Sequence, residues 1–349
     1  MNRFKHKLFS LLFILILIAV GYYYRDWVKE QYNHAKGVYY IHKGDRAYAA
    51  DNMGKTLEYY IKGLELYPGH YEAWFNLGNI YAVHEDYGSA VDAYEHAISA
   101  NPRFVMARMN LGIVLSEDLG LFDEAIKQFE EVPKIKLFKL WIPFVYSNVK
   151  SVKANRGLAY FNKGVAYRQK AMFLPVEKQH LIYEYLGDAI KSYTKALKIL
   201  KKNYDLYYNR AFAHHLRGEY RAAGLDYCKA IDLSPMNFEA HYNLAVLLRQ
   251  INRNRESIAE LEKAAILISE NPRSSEVQTA YIFNLLNEVT RRFITSDAYY
   301  TQKLTGEPAG AISYTYINGK IVADDDFDKA MFKNFQTCAG FAYFNEDEE

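Results

Sequence analysis

The sequence predicts an all-α solenoid of about six helical hairpins, with one N-terminal transmembrane helix and a small C-terminal appendage. Three observations predict it. Large and small residues recur with a period of 34 between residues 37 and 272, an uncharged apolar run fills residues 8–24, and the repeat pattern stops before residue 300. The chain has 349 residues and a formal net charge of +2. That balance suits a globular chain and gives no general electrostatic pull toward nucleic acid. Tyrosine is abundant, with 32 copies, and its apolar ring and polar tip suit half-buried surfaces and binding faces.

The N-terminal run reads LFSLLFILILIAVGYYY and follows Arg3, Lys5 and Lys7. As a helix it would span roughly 25 Å, enough to cross a bilayer. No small-x-small cleavage site follows it. Instead Tyr22, Tyr23, Tyr24 and Trp27 form an interfacial aromatic belt. Residues 1–30 therefore read as an uncleaved signal anchor, with a cleaved signal peptide as the alternative. Basic residues crowd the N-terminal flank, so the positive-inside rule keeps the N-terminus cytoplasmic. The rest of the chain is then extracytoplasmic, in the periplasm of a bacterial cell.

The repeat is clearest at residues 71–104. Trp74, Leu77, Gly78 and Tyr81 mark one helix, and Ala90, Tyr94, Ala97 and Pro102 mark a second after a break at Glu85–Gly88. Small residues stand where two helices must approach closely, and large ones fill the space around them. One period upstream lie Tyr40, Gly44, Thr56, Tyr60, Gly63 and Pro68. One period downstream, with one extra residue in the turn, lie Leu111, Gly112, Leu115, Ala125, Phe129 and Pro133. Later copies centre on Gly164 and Tyr193, Ala211 and Tyr227, and Ala245 and Leu261, the first of these split by an insertion around residues 171–185. The pattern resembles the tetratricopeptide repeat (TPR), W-x₂-L-G-x₂-Y then A-x₃-F then P over 34 residues. Lys43 and Lys163 depart from it where Leu is usual.

The resemblance implies a TPR-like helical-hairpin solenoid. Three repeats occupy residues 34–138, a basic aromatic insertion 139–153, and three further repeats 154–272. Residues 273–300 form a capping helix, and 301–349 a tail. Stacked hairpins would bury one continuous core, because a single hairpin cannot bury its apolar face alone.

The resemblance also implies that the first helix of each repeat lines a concave, partner-binding face. The sixth position of five consecutive repeats is Asn76, Asn110, Asn162, Asn209 and Asn243, with His42 in the first. An amide offers both a donor and an acceptor, so a ladder of them could satisfy an extended peptide backbone. Asn being common at this position of the repeat is an equal explanation. The fifth position holds Phe75, Met109, Phe161, Tyr208 and Tyr242, and the ninth adds Phe212 and three β-branched residues. An apolar groove with an amide row suits a protein or peptide partner with hydrophobic anchors, or these side chains pack on neighbouring helices or the chain's own tail. The second position holds no basic residue, and Arg168 and Arg249 are the groove cations. A clamp for a C-terminal carboxylate is therefore not expected.

Residues 134–153 interleave Lys136, Lys139, Trp141 and Phe144. They read first as a longer helix packed on its own repeats, and second as a membrane-surface element or a seat for an acidic protein partner. In the tail, Asn318-Gly319 between two β-prone runs signals a hairpin. Asp324–Asp328 suit an N-cap for a short helix over DDFDKAMFKNF, and FAYF at 341–344 could dock on the solenoid or in the groove. Cys228 and Cys338 read as two small buried side chains. No catalytic motif, metal-ligand set or cofactor site appears. The expectation is a non-catalytic scaffold or adaptor, with self-association into a membrane-organising array, or an accessory subunit positioning an enzyme, as alternatives.

Overall fold

The computed structural model describes the backbone of residues 2–135, 145–271, 275–305, 314–317, 320–323, 338 and 341. Side chains are described at 14, 18–135, 152–271, 275–290, 338 and 341. The chain divides into two compact units, Met1–Ile135 and Lys136–Glu349, each with its own core, where the sequence suggests one continuous stack.

The first unit contains α1 (Asn2–Ala49), α2 (Met53–Leu66), α3 (Tyr71–Val83), α4 (Tyr87–Ala100), α5 (Val105–Ile113) and α6 (Phe122–Glu131). Their pairing makes three antiparallel hairpins. Asn52, His70 and Asp86 cap α2, α3 and α4 by accepting backbone N–H bonds three residues on, which satisfies donors that a helix N-terminus leaves open. The extra residue of the third repeat is absorbed by a π-helical turn, Val114–Asp118, the usual way a helix accommodates a one-residue insertion.

The second unit contains α7 (Val145–Met172), α8 (Gln179–Leu200), α9 (Tyr204–Leu216), α10 (Tyr220–Leu233), α11 (Phe238–Gln250), α12 (Asn254–Ser269) and α13 (Glu276–Thr305). The insertion around 171–185 lengthens both helices of its hairpin, with a 3₁₀ turn Val176–Lys178 between them. The cap is longer than the sequence suggests. Ile282, Phe283, Leu286 and Val289 of α13 close the core formed by Ile258, Leu261, Ala265 and Ile268 of α12.

One contact explains the small residue of the signature. In each of the first four hairpins an aromatic ring of the second helix lies on a glycine of the first: Tyr60 on Gly44, Tyr94 on Gly78, Phe129 on Gly112, Tyr193 on Gly164. An added Cβ would stand 2.6–2.8 Å from the ring, well inside ordinary carbon contact. In five of the six hairpins the turn between the two helices carries one residue at positive φ: Asp51, Glu85, Gly120, Gly218 and Asn252. Four of these five are Gly, Asn or Asp, which adopt that conformation most readily; Glu85 is the exception.

The N-terminal run is helical and α1 continues from it into the first repeat without a break. Most side chains of residues 8–17 lie outside the described residues. Among the described residues no helix is long and apolar enough to cross a membrane. From Ile18 to Tyr32 every residue of α1 is exposed, and packing on α2 begins only beyond Asn33.

The cysteines correct the sequence reading. Cys228 on α10 and Cys338 in the tail form a disulfide, with Cα atoms 5.6 Å apart. A single thiol gives no local sign of a partner 110 residues away. Three residues on, Phe341 is fully buried among Ala223, Tyr227, Leu248 and Ile251. Its ring fills the space over Gly224 and lies 5.0 Å from the Arg253 guanidinium, while Arg221 Nε donates to its carbonyl at 3.3 Å. The described part of the tail thus docks on α10 and the α11–α12 turn. Strands β1 (Tyr314–Ile317) and β2 (Lys320–Ala323) pair antiparallel, Ile317 opposite Lys320, which brackets residues 318–319. The helix expected over 325–335 lies outside the described residues, as do Lys136, Lys139, Trp141 and Phe144.

Candidate functional site

The candidate groove residues fall on the first helices of the hairpins, and each unit presents its own set. In the first unit, Phe75 and Asn76 stand on α3, Met109 and Asn110 on α5. Met109 is 6% exposed and belongs to the interior, so it offers a partner almost no surface. Phe75 is half-buried, edge-on to Phe104 at 5.1 Å and tilted to Tyr94 at 6.0 Å. It lines the face while bracing the next repeat.

The amides here link repeats. Asn110 Nδ2 donates to Asn79 Oδ1 at 2.8 Å, and Tyr94 Oη donates to the same oxygen at 2.8 Å. Asn76 Nδ2 reaches Tyr60 Oη at 3.5 Å, and Tyr60 Oη donates to Asp45 Oδ1 at 2.7 Å. Burial, reinforced by Asp45, pushes the Tyr60 hydroxyl well above its ordinary value, so it remains a donor at neutral pH. Asp45 and Asn79 occupy the ninth position of their repeats, which the sequence reading considered only in the later ones. The signal that could have found them is a short polar residue at a groove position otherwise held by Val, Ile or Phe.

In the second unit, Phe161 and Asn162 lie on α7, Tyr208, Asn209 and Phe212 on α9, and Tyr242 and Asn243 on α11. All seven are half-buried. Phe161 packs on Tyr193 with centroids 6.0 Å apart. Tyr204 stacks on Tyr208 at 5.7 Å, and the Arg168 guanidinium lies 5.4 Å from the Phe212 centroid, a cation–π pairing. Tyr242 meets Tyr281 of the capping helix at 6.2 Å. Asn243 Nδ2 donates to Tyr208 Oη at 2.8 Å and to the Glu239 carbonyl at 3.1 Å. Both amide hydrogens are then used internally, and only its carbonyl oxygen is left for a ligand. Asn209 Nδ2 donates to the Asp205 carbonyl at 2.8 Å.

Electrostatics fixes the protonation of this face. Burial, with Glu239 nearby, pushes the Tyr208 hydroxyl up to about 12. Burial alone raises Tyr193 to about 12; burial, with Glu239 nearby, carries Tyr204 higher still. Burial, then Asp205, raises the Glu239 carboxyl. The tyrosines are therefore neutral donors at physiological pH. Tyr204 Oη is buried without a hydrogen-bond partner, a state that costs on the order of 1–3 kcal/mol unless a ligand or water fills it. Among the described residues no group of His, Cys, Asp or Glu could hold a metal ion.

Family models described as tetratricopeptide repeat match residues 71–104, 204–237 and 238–267. Residues 71–104 and 204–267 therefore carry tetratricopeptide repeats, and the helical hairpins at those positions are TPR-like. Among curated proteins, sperm-associated antigen 1 of Rattus norvegicus is 34% identical over 89 residues, 26% of this chain and 10% of that protein. A TPR repeat-containing protein of Methanocaldococcus jannaschii is 24% identical over 198 residues, 50% of this chain and 35% of that protein. The chain thus spans about a third or less of these two relatives. Among solved structures, PilW, described as a widely conserved type IV pilus biogenesis factor, aligns with a TM-score of 0.49 at 16% identity, covering 70% of this chain and 98% of PilW.

Proposed function

We propose that this tetratricopeptide-repeat chain is a non-catalytic scaffold that holds a polypeptide partner on the first-helix faces of its two units. The observation that carries the reading is the face of the second unit. It presents half-buried aromatic rings and a cation over one of them. Rigid aromatic surface with a few fixed polar groups is what peptide recognition requires. The amides play a smaller part than a free ladder would, since Asn110 and Asn243 link neighbouring repeats.

The proposal includes tethering to a membrane through residues 1–30, with the repeats on the extracytoplasmic side, where they would assist assembly of an envelope complex. Two features support it. Ile18, Val20, Tyr22, Tyr23, Trp27 and Val28 are all exposed on α1, which leaves an apolar helix segment without protein cover. The Cys228–Cys338 disulfide fits an oxidising compartment.

The test is co-purification with a groove variant. Phe212→Glu places a carboxylate among the rings of the second unit. Proteins that co-purify with the wild-type chain should be lost with Phe212→Glu at an unchanged melting temperature. Equal recovery with both would remove this face from the partner site. The fraction that retains the chain after carbonate extraction, with and without residues 1–30, tests the tether: loss of membrane retention on deletion is expected, and no change would refute it.

A further inference from the structure

On the face of the first unit, α1, α2 and α3 enclose a cavity of about 240 Å³. Its polar lining can be read atom by atom. Tyr60 Oη donates to Asp45 Oδ1 at 2.7 Å, so its lone pair is what meets the Asn76 amide. That leaves the Asn76 carbonyl oxygen as an acceptor. His84 Nδ1 lies 2.8 Å from the Ile80 carbonyl, which can only accept. The proton is therefore on Nδ1. Asn79, which also lines the cavity, spends its carbonyl oxygen on Tyr94 and Asn110 and keeps its amide N–H groups as donors. The cavity thus presents the Asp45 carboxylate and the Asn76 amide oxygen as acceptors beside the Asn79 amide donor, and no Lys or Arg is among the residues lining it.

The remaining wall is apolar and open. Tyr48 and Val83 are 56% and 80% exposed, and Met53 lies beside them. A side chain that matches this cavity has an aliphatic stem for the wall and a donor-rich, positive head for Asp45. Lysine and arginine have that form, and the Tyr48 ring can meet the same cation. Asp45 Oδ2 also lies 3.4 Å from His42 Nδ1. Acidic side chains would be repelled by Asp45, and aliphatic ones would bring it no further donor.

We infer that this cavity receives a lysine or arginine side chain of the extended polypeptide partner, so that a basic residue sets the register of that partner on the first unit. The inference rests on the peptide-scaffold reading and names the chemistry of one of its subsites.

The test is selection from a random heptapeptide library displayed on phage, using the full chain in detergent micelles. Two variants run in parallel. Asp45→Asn keeps an acceptor for Tyr60 but removes the charge. Val83→Arg places a cation at the mouth from a position 80% exposed, outside the core. The wild-type chain should enrich basic residues at one fixed peptide position about tenfold over the library. Both variants, with unchanged melting temperatures, should return them to library frequency. Enriched peptides anchored by aromatic or aliphatic residues alone, selected equally by Asp45→Asn, would overturn the basic subsite and leave the scaffold reading standing. Failure of every form to enrich any peptide would overturn both.

Discussion

Gly78→Ala tests the packing that defines the hairpin. The added Cβ would lie 2.6, 2.7 and 3.1 Å from Tyr94 Cε1, Cδ1 and Cζ. Ordinary carbon contacts begin near 3.5 Å, so the ring would have to move by about 1 Å. It has nowhere to go. Tyr94 is 1% exposed, its hydroxyl donates to Asn79 Oδ1 at 2.8 Å, and that oxygen is also held by Asn110 from the next repeat at 2.8 Å. Overpacking of this kind costs about 1–3 kcal/mol, and the better helix propensity of Ala returns about 1 kcal/mol. The expected net loss is about 0–2 kcal/mol. Gly54→Ala is the matched control, because a Cβ there meets nothing within 4 Å, and it should gain roughly 0.5 kcal/mol. Urea titrations of the full chain followed by circular dichroism at 222 nm measure both. In Gly78→Ala combined with Tyr94→Leu, the smaller side chain relieves the clash, so the pair should lose less than the sum of the single changes. If Gly78→Ala were as stable as Gly54→Ala, the close approach of helix to ring would not be what the signature encodes.

Three further outcomes follow from buried groups. Burial alone would raise the Glu260 carboxyl, but His241 and Lys263 outweigh it and hold it below the ordinary 4.5. Its contribution is therefore complete above that value and lost as pH falls through the lowered one. Glu260→Gln should cost about 1–3 kcal/mol at pH 7 and flatten the acid limb of the stability curve; an unchanged limb would refute the assignment. Cys338→Ser opens a loop closed across 110 residues and should cost about 2–4 kcal/mol. Phe341→Ala should add little in that background because both act on one docked segment, and full additivity in denaturant melts would contradict this. Glu85 adopts φ 61° where the other repeats use Gly, Asn or Asp, so Glu85→Gly should raise stability by roughly 0.5–1 kcal/mol in the same titrations, and a loss would refute the strain.

The hairpins were legible because their determinants are local and repeated. Trp74, Leu77 and Tyr81 fall on one helix face, and a small residue recurs wherever a ring from the paired helix must land. The extra residue after Leu115 is visible in the sequence, but only the backbone shows it placed in a π-helical turn. The first-helix positions were legible in the sequence, but their depth was not. Met109 and Phe161 share a fifth position, yet Met109 is buried while Phe161 is half-exposed to its face, because neighbouring repeats set the depth. The amide row failed as a free ladder for the same reason: Tyr60, Tyr94 and Tyr208 supply hydroxyls from adjacent helices, and no single repeat reveals them. The disulfide joins residues with no local relation. Read one at a time, each cysteine passes for a small buried side chain.

The central claim is that the first-helix faces hold a foreign polypeptide. The measurement that tests it most directly is photo-crosslinking in intact cells, with a benzophenone amino acid at Phe75 or Tyr208 and, as control, at exposed Glu95 on α4. The captured chains would be identified by mass spectrometry. The account predicts one recurrent foreign protein from the face positions and none from the control. Crosslinks only to residues 300–349 of this chain, or to a second copy, would mean that the faces are self-occupied and would contradict the scaffold.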